Sequence, residues 1–416
     1  MSNVFKIGGL SVEELVREYG SPLYVYDKKV IEERYKTLFN CIDYPQKRIL
    51  YACKANTNLE ILKVLASMDA GIDAVSPGEV MLALKAGIAP DSILFTGDNC
   101  TVEDIQYCME QTVPVNIGSL MHLEIYGQMY PGTKVSVRIN PDVGAGHHGH
   151  VITGGPHTKF GIYYDEIESI NHILNKYNLT LFGVHSHIGS GVLNADKFME
   201  AIDIVLSCAE KFQHLEFIDF GGGIGVPYRK SETPINLKEF GEKLSAKFSD
   251  FCKKRGENIW LYLEPGRYIV AESGFLLARV NNVKTTPAHK FIGVDTGFNH
   301  LIRPMAYGSY HQIINGSNMD GKTEPVVVAG NLCESGDVFT RVENGIEDRE
   351  IAEIRYGDII VICNAGAYGY SMASRYNSRF LPAEVLVENE KSRLIRKRDT
   401  FEDLLRSASI ESAVVN

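Results

Sequence analysis

The chain has 416 residues, 44% apolar and 23% charged, which excludes disorder as its main state and suits two domains better than one. Forty-two Lys plus Arg stand against 52 Asp plus Glu, a formal charge of −10; this argues against a general nucleic-acid or anionic-membrane surface, while a local basic pocket for a small anion stays open. No apolar run approaches the ~20 residues needed to cross a bilayer, the opening MSNVFKIGGLSVEELVREYG lacks the order of a signal peptide, and eight scattered cysteines without a CxxC pair suit reduced thiols. A cytoplasmic protein is expected.

PLYVYD (22–27) reads as a strand ahead of the main alternation. β-rich runs then recur at 49–55 (ILYACKA), 71–76 (GIDAVS), 92–97 (SILFTG), 113–118 (VPVNIG), 134–140 (KVSVRIN), 181–189 (LFGVHSHIG), 217–223 (FIDFGGG) and 260–266 (WLYLEPG). Each is mostly apolar, as a parallel strand covered on both faces should be. Amphipathic stretches such as NLEILKVLASMD and PGEVMLALKAG lie between them as helices. Such units, repeated over roughly 250 residues, match a (β/α)8 TIM barrel; an open doubly wound sheet is the alternative on pattern alone. After Gly274 the rhythm changes. FLLARVNNVKTT, KFIGVDTGF, EPVVVAGNLC, DIIVICNAGAYG, AEVLVEN and SRLIRKRD are strand-like, with few helical patterns between them. The expected fold class is therefore α/β: a TIM barrel over 28–274 and a C-terminal all-β domain of sandwich or barrel-like kind. PLYVYD is expected in the second sheet, making that domain discontinuous, 1–27 with 275–416.

Residues able to carry chemistry fall at the carboxyl ends of the barrel strands, where such barrels build their sites. Lys54 closes the first, Ser76 the second, His187 the sixth, the triple glycine the seventh and Glu264 the eighth. Desolvation of Lys54 at a strand mouth lowers an amine's pKa toward the neutral form that a Schiff base requires; a head that simply reaches solvent is the plainer alternative. GGGIG (221–225) fails the dinucleotide spacing, since Val226 and Tyr228 stand where glycines would be needed, and no P-loop ending follows. A phosphate cradle without a nucleotide, or a tight turn, remains. Glu264 in EPGR is a strand-end carboxylate that needs a donor or cation, met by a protonated pyridine nitrogen or by an ordinary pair with Arg267. His185 and His187 are two apart on one strand and so share a face; a zinc pair lacks a third ligand at useful spacing, and a ring lying over a flat cofactor is the other use. His147, His148 and His150 in a glycine-rich loop read as solvated. Arg303 suits bidentate capture of a carboxylate, and Cys333 beside Glu334 suits a proton donor better than a nucleophile.

YACKAN, INPDVGAGHHGH, KFGI, HSHIGSG, GGGIGVPY, EPGR, GFNHLIRPMAYGSYH, CESGDVF and GAYGYSMAS, in this order from SPLYVYD to LIRKRDTFEDLL, closely resemble the signatures of the diaminopimelate decarboxylase family, within the alanine-racemase-like pyridoxal-phosphate enzymes of fold type III. The resemblance covers nearly the whole chain. It implies pyridoxal 5'-phosphate as cofactor, no metal, and decarboxylation of an amino acid. It implies Lys54 as the residue carrying the cofactor and His187, rather than His185, as the imidazole stacked on its ring. Ser190, Gly223 and the backbone of Pro265, Gly266 and Arg267 match the phosphate cradle, and Glu264 the partner of the pyridine nitrogen. Arg267, Arg303 and Tyr307 match residues at the far end of the substrate, and Tyr368 one touching cofactor phosphate and substrate. Cys333 and Glu334 match a pair contributed across a homodimer interface, Cys333 as the acid that reprotonates the α-carbon. His300 replaces an Asp common in the family and touches none of these roles. A decarboxylase of ornithine or arginine, or a relative that binds the cofactor without catalysis, are the rival readings. The first is disfavoured by the Arg303–Tyr307 segment and the CES motif, the second by the presence of Lys54, Cys333 and the second domain.

Overall fold

The computed structural model describes residues 3–144, 153–342 and 345–406. The chain divides into two compact units, Met1–Ile31 with Val270–Asn416, and Glu32–Ile269.

In the second of these, eight parallel strands close on themselves. They are Lys47–Ala52, Gly71–Ala74, Ile93–Phe95, Asn116–Ile117, Lys134–Asn140, Thr180–His185, Phe217–Asp219 and Trp260–Leu263. The last pairs with the first, Leu261 opposite Lys47. The third and fourth meet through a parallel bridge between Phe95 and Val115, with the Phe95 amide donating to the Pro114 carbonyl at 2.9 Å. The TIM barrel read from the alternation is the one observed. One further short strand, Ile162–Tyr163, pairs beside Lys134–Asn140 and carried no signal in the sequence reading.

The helices between the strands start where the sequence supplies caps. Asn58, Ser76, Thr101, Asn194 and Asn236 each accept a backbone N–H from the first turn of the following helix, satisfying donors that a helix start leaves open. Ser76, expected to end a strand, is thus a helix cap, and its strand stops at Ala74. The same correction applies at four other tops. The strands end at Ala52, His185, Asp219 and Leu263, three or four residues before the expected positions. The residues beyond leave the ladder to make turns, Lys54 in the turn Cys53–Ala55. His187 lies beyond its strand, so the expected shared strand face with His185 does not occur.

Alternate positions on a strand face the same way, and this sorts the barrel interior. Leu50, Leu94 and Phe217 cluster, with Phe182 and Tyr262 packed against them. A side chain on Gly183 would stand 2.1 Å from the Phe217 ring, and one on Gly71 2.3 Å from Leu50; these glycines make room for their large neighbours. Two residues further along, the same strands carry Thr96, Asp219 and Glu264, joined by Asp73, Asn116, Arg138 and His185, all buried.

The other unit is built on a mixed sheet. Gly274–Thr285 pairs antiparallel with Leu23–Asp27, Lys290–Val294 and Ile359–Ile362. Leu23–Asp27 also pairs in parallel with Ala383–Glu388, which carries Lys391–Arg396 on its far edge. PLYVYD therefore lies inside this sheet. Its core gathers Leu23, Val25, Leu277, Val361 and Val385 with Val12, Leu15 and Val16. The last three belong to a helix, Val12–Tyr19, that the sequence reading left out although Ser11 and Glu14 form its capping box. Ile313–Asn315 and Arg349–Ala352 are further strands not anticipated.

The helix Leu237–Arg255 contains Gly241, whose added Cβ would lie 1.9 Å from the Cys41 carbonyl oxygen. Replacing a helical glycine by alanine ordinarily stabilises by about 1 kcal/mol. Here Gly241→Ala should instead destabilise by roughly 1–3 kcal/mol, because a backbone atom must move. A lowered urea midpoint at unchanged m-value is the expected result; a raised one would contradict this close approach.

Candidate active site

The top of the barrel assembles around four turns. Lys54, about a third exposed, places Nζ 2.7 Å from Asp73 Oδ2, and Asp73 is buried. The Thr96 hydroxyl donates to the other oxygen of Asp73. The lysine head is thus ion-paired, where the sequence reading expected simple desolvation. Glu79, capping its own helix through the Val75 amide at 2.8 Å, is pushed up to about 7 by burial.

Beyond Asp219 the chain turns through Gly221, Gly222 and Gly223. Asp219 Oδ1 accepts the Gly221 amide at 2.8 Å, and the Gly222 amide donates to His187 Nδ1 at 3.0 Å. That bond leaves the His187 proton on Nε2. Burial, with Lys54, Arg138 and His185 nearby, holds His187 well below the usual imidazole range, so it is neutral. A Cβ on Gly222 would stand 2.0 Å from the Glu264 carbonyl oxygen, and one on Gly223, at φ +115°, 2.6 Å from the Gly189 carbonyl oxygen. Only glycine fits this bend. The loop is laced to its neighbour by Val192 N to Gly223 O and Gly225 N to Val192 O, both 2.9 Å. Ser190 Oγ accepts from Arg267 Nε and Nη2 at 3.2 and 3.0 Å, while Nη1 of the same guanidinium donates to the Tyr228 hydroxyl at 3.1 Å. Pro265 accepts the Ala52 amide through its carbonyl, and Gly266 packs on Ala52 and Ala55.

Glu264 is 3% exposed, just past the eighth strand. Its Oε2 lies 2.9 Å from His185 Nε2. Its Oε1 is buried, and among the described residues no donor reaches it other than the Asp219 carboxyl, which hydrogen-bonds with Glu264. Burial pushes this carboxyl up, but His185 and Lys54 outweigh it and leave Glu264 below its ordinary range. Asp219 beside it is pushed far up, by burial and then by Glu264. The pair therefore holds one carboxylate, Glu264, and one carboxylic acid, Asp219. His185, Asp219 and Glu264 gather within 4.8 Å, an association that spacing along the chain did not disclose. His147, His148 and His150 lie outside the described residues.

The remaining candidates belong to the other unit. Arg303 is buried at the start of the helix Arg303–Tyr307; Nε donates to His311 Nε2 at 3.3 Å and Nη2 to Ser309 Oγ at 3.2 Å. Tyr307 is half-buried at the end of the same helix. Cys333 is the exposed one of the eight cysteines; its amide donates to Asn377 Oδ1 at 2.7 Å. Glu334 is exposed and raises the Tyr376 phenol. Asp337 shapes this loop, accepting the amides of Phe298 and Leu332 at 2.7 and 2.8 Å. Tyr368 takes φ +56°, a left-handed conformation rare and costly for an aromatic residue, which marks it as a functional candidate.

Sequence reasoning missed Asp73, Asn116, Arg138, His185 and Asp219. The available signal was the same in each case: a polar residue inside an otherwise apolar buried strand, which costs stability unless it is paired.

A strand-end lysine, a glycine bend and a buried carboxylate at the top of a TIM barrel define a class, and the model for pyridoxal-dependent decarboxylases (pyridoxal binding domain) matches residues 28–271. Diaminopimelate decarboxylase of Methanothermobacter thermautotrophicus is 44% identical over 98% of this chain and 96% of its own. That of Escherichia coli K12 is 39% identical over 95% and 96%. The crystal structure of diaminopimelate decarboxylase from Helicobacter pylori, complexed with L-lysine, superposes with a TM-score of 0.87 at 36% identity, covering 95% of this chain and 98% of that one. The chain belongs to the diaminopimelate decarboxylase family.

The site fits the cofactor of that family. A pyridine ring needs an acceptor at its nitrogen, and Glu264 is a buried carboxylate whose Oε1 meets no donor among the described residues other than the Asp219 carboxyl. A phosphate needs close backbone approach, and the Gly222–Gly223 bend leaves no space for side chains.

His300, the departure from the family pattern, is fully satisfied: Nδ1 meets the Thr296 hydroxyl and Nε2 the Phe380 carbonyl, both at 2.9 Å. Burial lowers its pKa to about 4. An unfolded histidine titrates near 6.5, so as pH falls the unfolded chain takes the proton first. Stability is whole above pH ~6.5 and is lost progressively toward pH ~4. From pH 7 to pH 5 the loss from this residue should be about 2 kcal/mol. Urea unfolding at both pH values should show a smaller loss in His300→Gln than in the wild type; equal losses would exclude His300 as the source.

Proposed function

We propose that this chain decarboxylates meso-2,6-diaminopimelate to L-lysine and CO2 with pyridoxal 5'-phosphate, the last step of lysine biosynthesis, in the cytoplasm. One observation carries the chemistry: a buried carboxylate, Glu264, with one oxygen held by His185 and the other met by no donor among the described residues but the Asp219 acid, with a glycine bend and a strand-end lysine in the same barrel top. When bound, the cofactor supplies an electron sink for the pair left behind as the carboxylate departs. Lys54 would hold it covalently, and Asp73 holds the lysine head. Glu264 would keep the proton on the ring nitrogen. His187, neutral and anchored by the Gly222 amide, would pack against the ring. Ser190, Gly223, Pro265, Gly266 and Arg267 bind the phosphate together with Tyr368.

Arg267, Arg303, Tyr307, Tyr368 and Glu334 hold the far end of the substrate. Diaminopimelate presents a carboxylate there, which guanidinium groups match; ornithine or lysine presents an ammonium alone, which they repel. Cys333 returns a proton to the α-carbon, replacing the lost CO2. Cys333 and Glu334 come from the second chain of a homodimer, so each site is shared.

A substrate panel with CO2 release tests the function. Meso-diaminopimelate should be turned over, with ornithine, arginine and lysine far behind; a preference for any of these would overturn the reading. In the same panel Arg303→Ala should weaken diaminopimelate binding by about 2–5 kcal/mol, the range for one partner of a buried charged pair. Lysine and ornithine, as weak ligands, should lose little. Equal weakening of all three would make Arg303 a structural residue held by His311 and Ser309.

The shared site predicts complementation. Lys54→Ala and Cys333→Ala should each be nearly inactive. In a mixed dimer one site collects both lesions and the other neither. Random re-pairing of equal amounts makes about half the dimers mixed, so about a quarter of wild-type activity should return. Subunit exchange is confirmed with differently tagged chains. Exchange without recovered activity would place both residues in the site of one chain, or leave Cys333 outside catalysis.

A further inference from the structure

We propose that Asn116 and Ser136 are positioning residues that fix the tautomer of His185, and through it set Glu264 as a carboxylate with Oε1 aimed at the ring nitrogen; this rests on the reading of Glu264 as that nitrogen's partner. The four residues are buried on four different strands or strand ends: Asn116 on the fourth, Ser136 on the fifth, His185 at the end of the sixth, Glu264 after the eighth. Asn116 and Ser136 are directly opposite in the ladder. Ser136 Oγ lies 3.0 Å from Asn116 Oδ1, Asn116 Nδ2 lies 3.2 Å from His185 Nδ1, and His185 Nε2 lies 2.9 Å from Glu264 Oε2.

The direction of the chain follows from proton counting. Ser136 Oγ is also 3.2 Å from the Val115 carbonyl, which receives the Ser136 amide at 3.1 Å as well. We take the single hydroxyl proton to lie on the shorter contact, toward Asn116 Oδ1. An amide whose oxygen is engaged by Ser136 turns its NH2 toward His185. His185 Nδ1 must then accept, so the ring's proton sits on Nε2 and is donated to Glu264. The opposite orientation of the amide would put a proton on Nδ1, and Nε2 facing a carboxylate would require a second one, making the ring cationic.

The setting gives this choice consequences. Lys54, Asp73, Asp219, His187 and Arg138 are the titratable and charged groups around the pair. Glu264 must stay the more acidic member beside Asp219, and the donor that His185 places at Oε2 contributes to that. Asn116 and Ser136 touch neither cofactor nor substrate; they act through His185.

The experiment reads the His185 ring by 15N NMR in the full-length chain without cofactor, the signals assigned with His185→Gln. In the wild type, Nε2 should be protonated and Nδ1 bare. In Asn116→Asp, whose carboxylate can only accept, Nδ1 should gain a proton. A wild-type ring protonated on Nδ1, or ring signals unmoved in Asn116→Asp, overturns the proposal. A second pair guards against a variant that does not fold: His185→Gln retains a donor for Glu264 and His185→Leu does not. With 15N-labelled cofactor bound, the ring nitrogen should remain protonated in His185→Gln and lose protonation in His185→Leu. kcat should fall on the order of 10-fold or more for Leu with KM little changed, as for an outer partner of a reacting group; equal behaviour of Gln and Leu overturns it. Glu264→Gln separates the two ideas. If the cofactor nitrogen signal is unmoved there, the reading of Glu264 fails, whatever the His185 tautomer.

Discussion

The structure turns on an ionised carboxylate kept out of water. Burial alone would protonate Glu264, and it does so to its neighbour Asp219. The difference between the two is in their donors. Glu264 receives His185 and feels Lys54, and it sits low; Asp219 receives one glycine amide and faces another acid, and it sits high. Two carboxyls in one low-dielectric site cannot both ionise, so a small asymmetry in partners decides which keeps the charge. Every other arrangement at the top of the barrel serves or tolerates that choice.

The barrel can hold this cluster because its strands divide the labour by position. On the third, seventh and eighth, Leu94, Phe217 and Tyr262 face the apolar layer, and the residue two further on faces the polar one: Thr96, Asp219 and Glu264. The apolar layer excludes water and stabilises the closed sheet; glycines at 71 and 183 let its large side chains interlock. The polar layer costs stability unless each group is paired, which is why its members are linked: Lys54 to Asp73, Thr96 to Asp73, Asn116 to His185, His185 to Glu264. Glu264 Oε1 and Asp219 Oδ2 are left to each other among the described residues, and a ring nitrogen would supply a further donor there.

This division also explains what was legible in the sequence. Eight apolar runs with amphipathic intervals gave the barrel, and the change of rhythm after Gly274 gave a β-rich unit, because both signals are averages over many residues. Six of the eight barrel-strand ends were placed two to four residues too far along. GGG, KAN and EPG remain apolar or small in composition while leaving the ladder, so periodicity does not register the departure. Lys54, Glu264 and the triple glycine were readable because their types are unusual at a strand mouth. The partners were not. Asp73 pairs with a lysine nineteen positions earlier and His185 with a glutamate seventy-nine later, and only closure of the sheet brings them together. His185 was passed over because the resemblance assigned the stacked imidazole to His187; the strand stops between them, and each takes a separate partner. The helix Val12–Tyr19 was missed for a plainer reason, since its capping box was present in the opening segment.

In the other unit the guanidinium of Arg303 is held at both ends of its fork. His311 takes Nε and Ser309 takes Nη2, while His311 is itself fixed by the Cys363 carbonyl at 2.9 Å. A lysine at this position would be a mobile point charge able to meet an anion from many directions. A planar guanidinium fixed by two neighbours presents its donors in a set plane. In the proposed reading this turns charge recognition into shape recognition. The distal carboxylate of diaminopimelate would then be met in the plane of the guanidinium, a directional contact that a lysine ammonium would not impose.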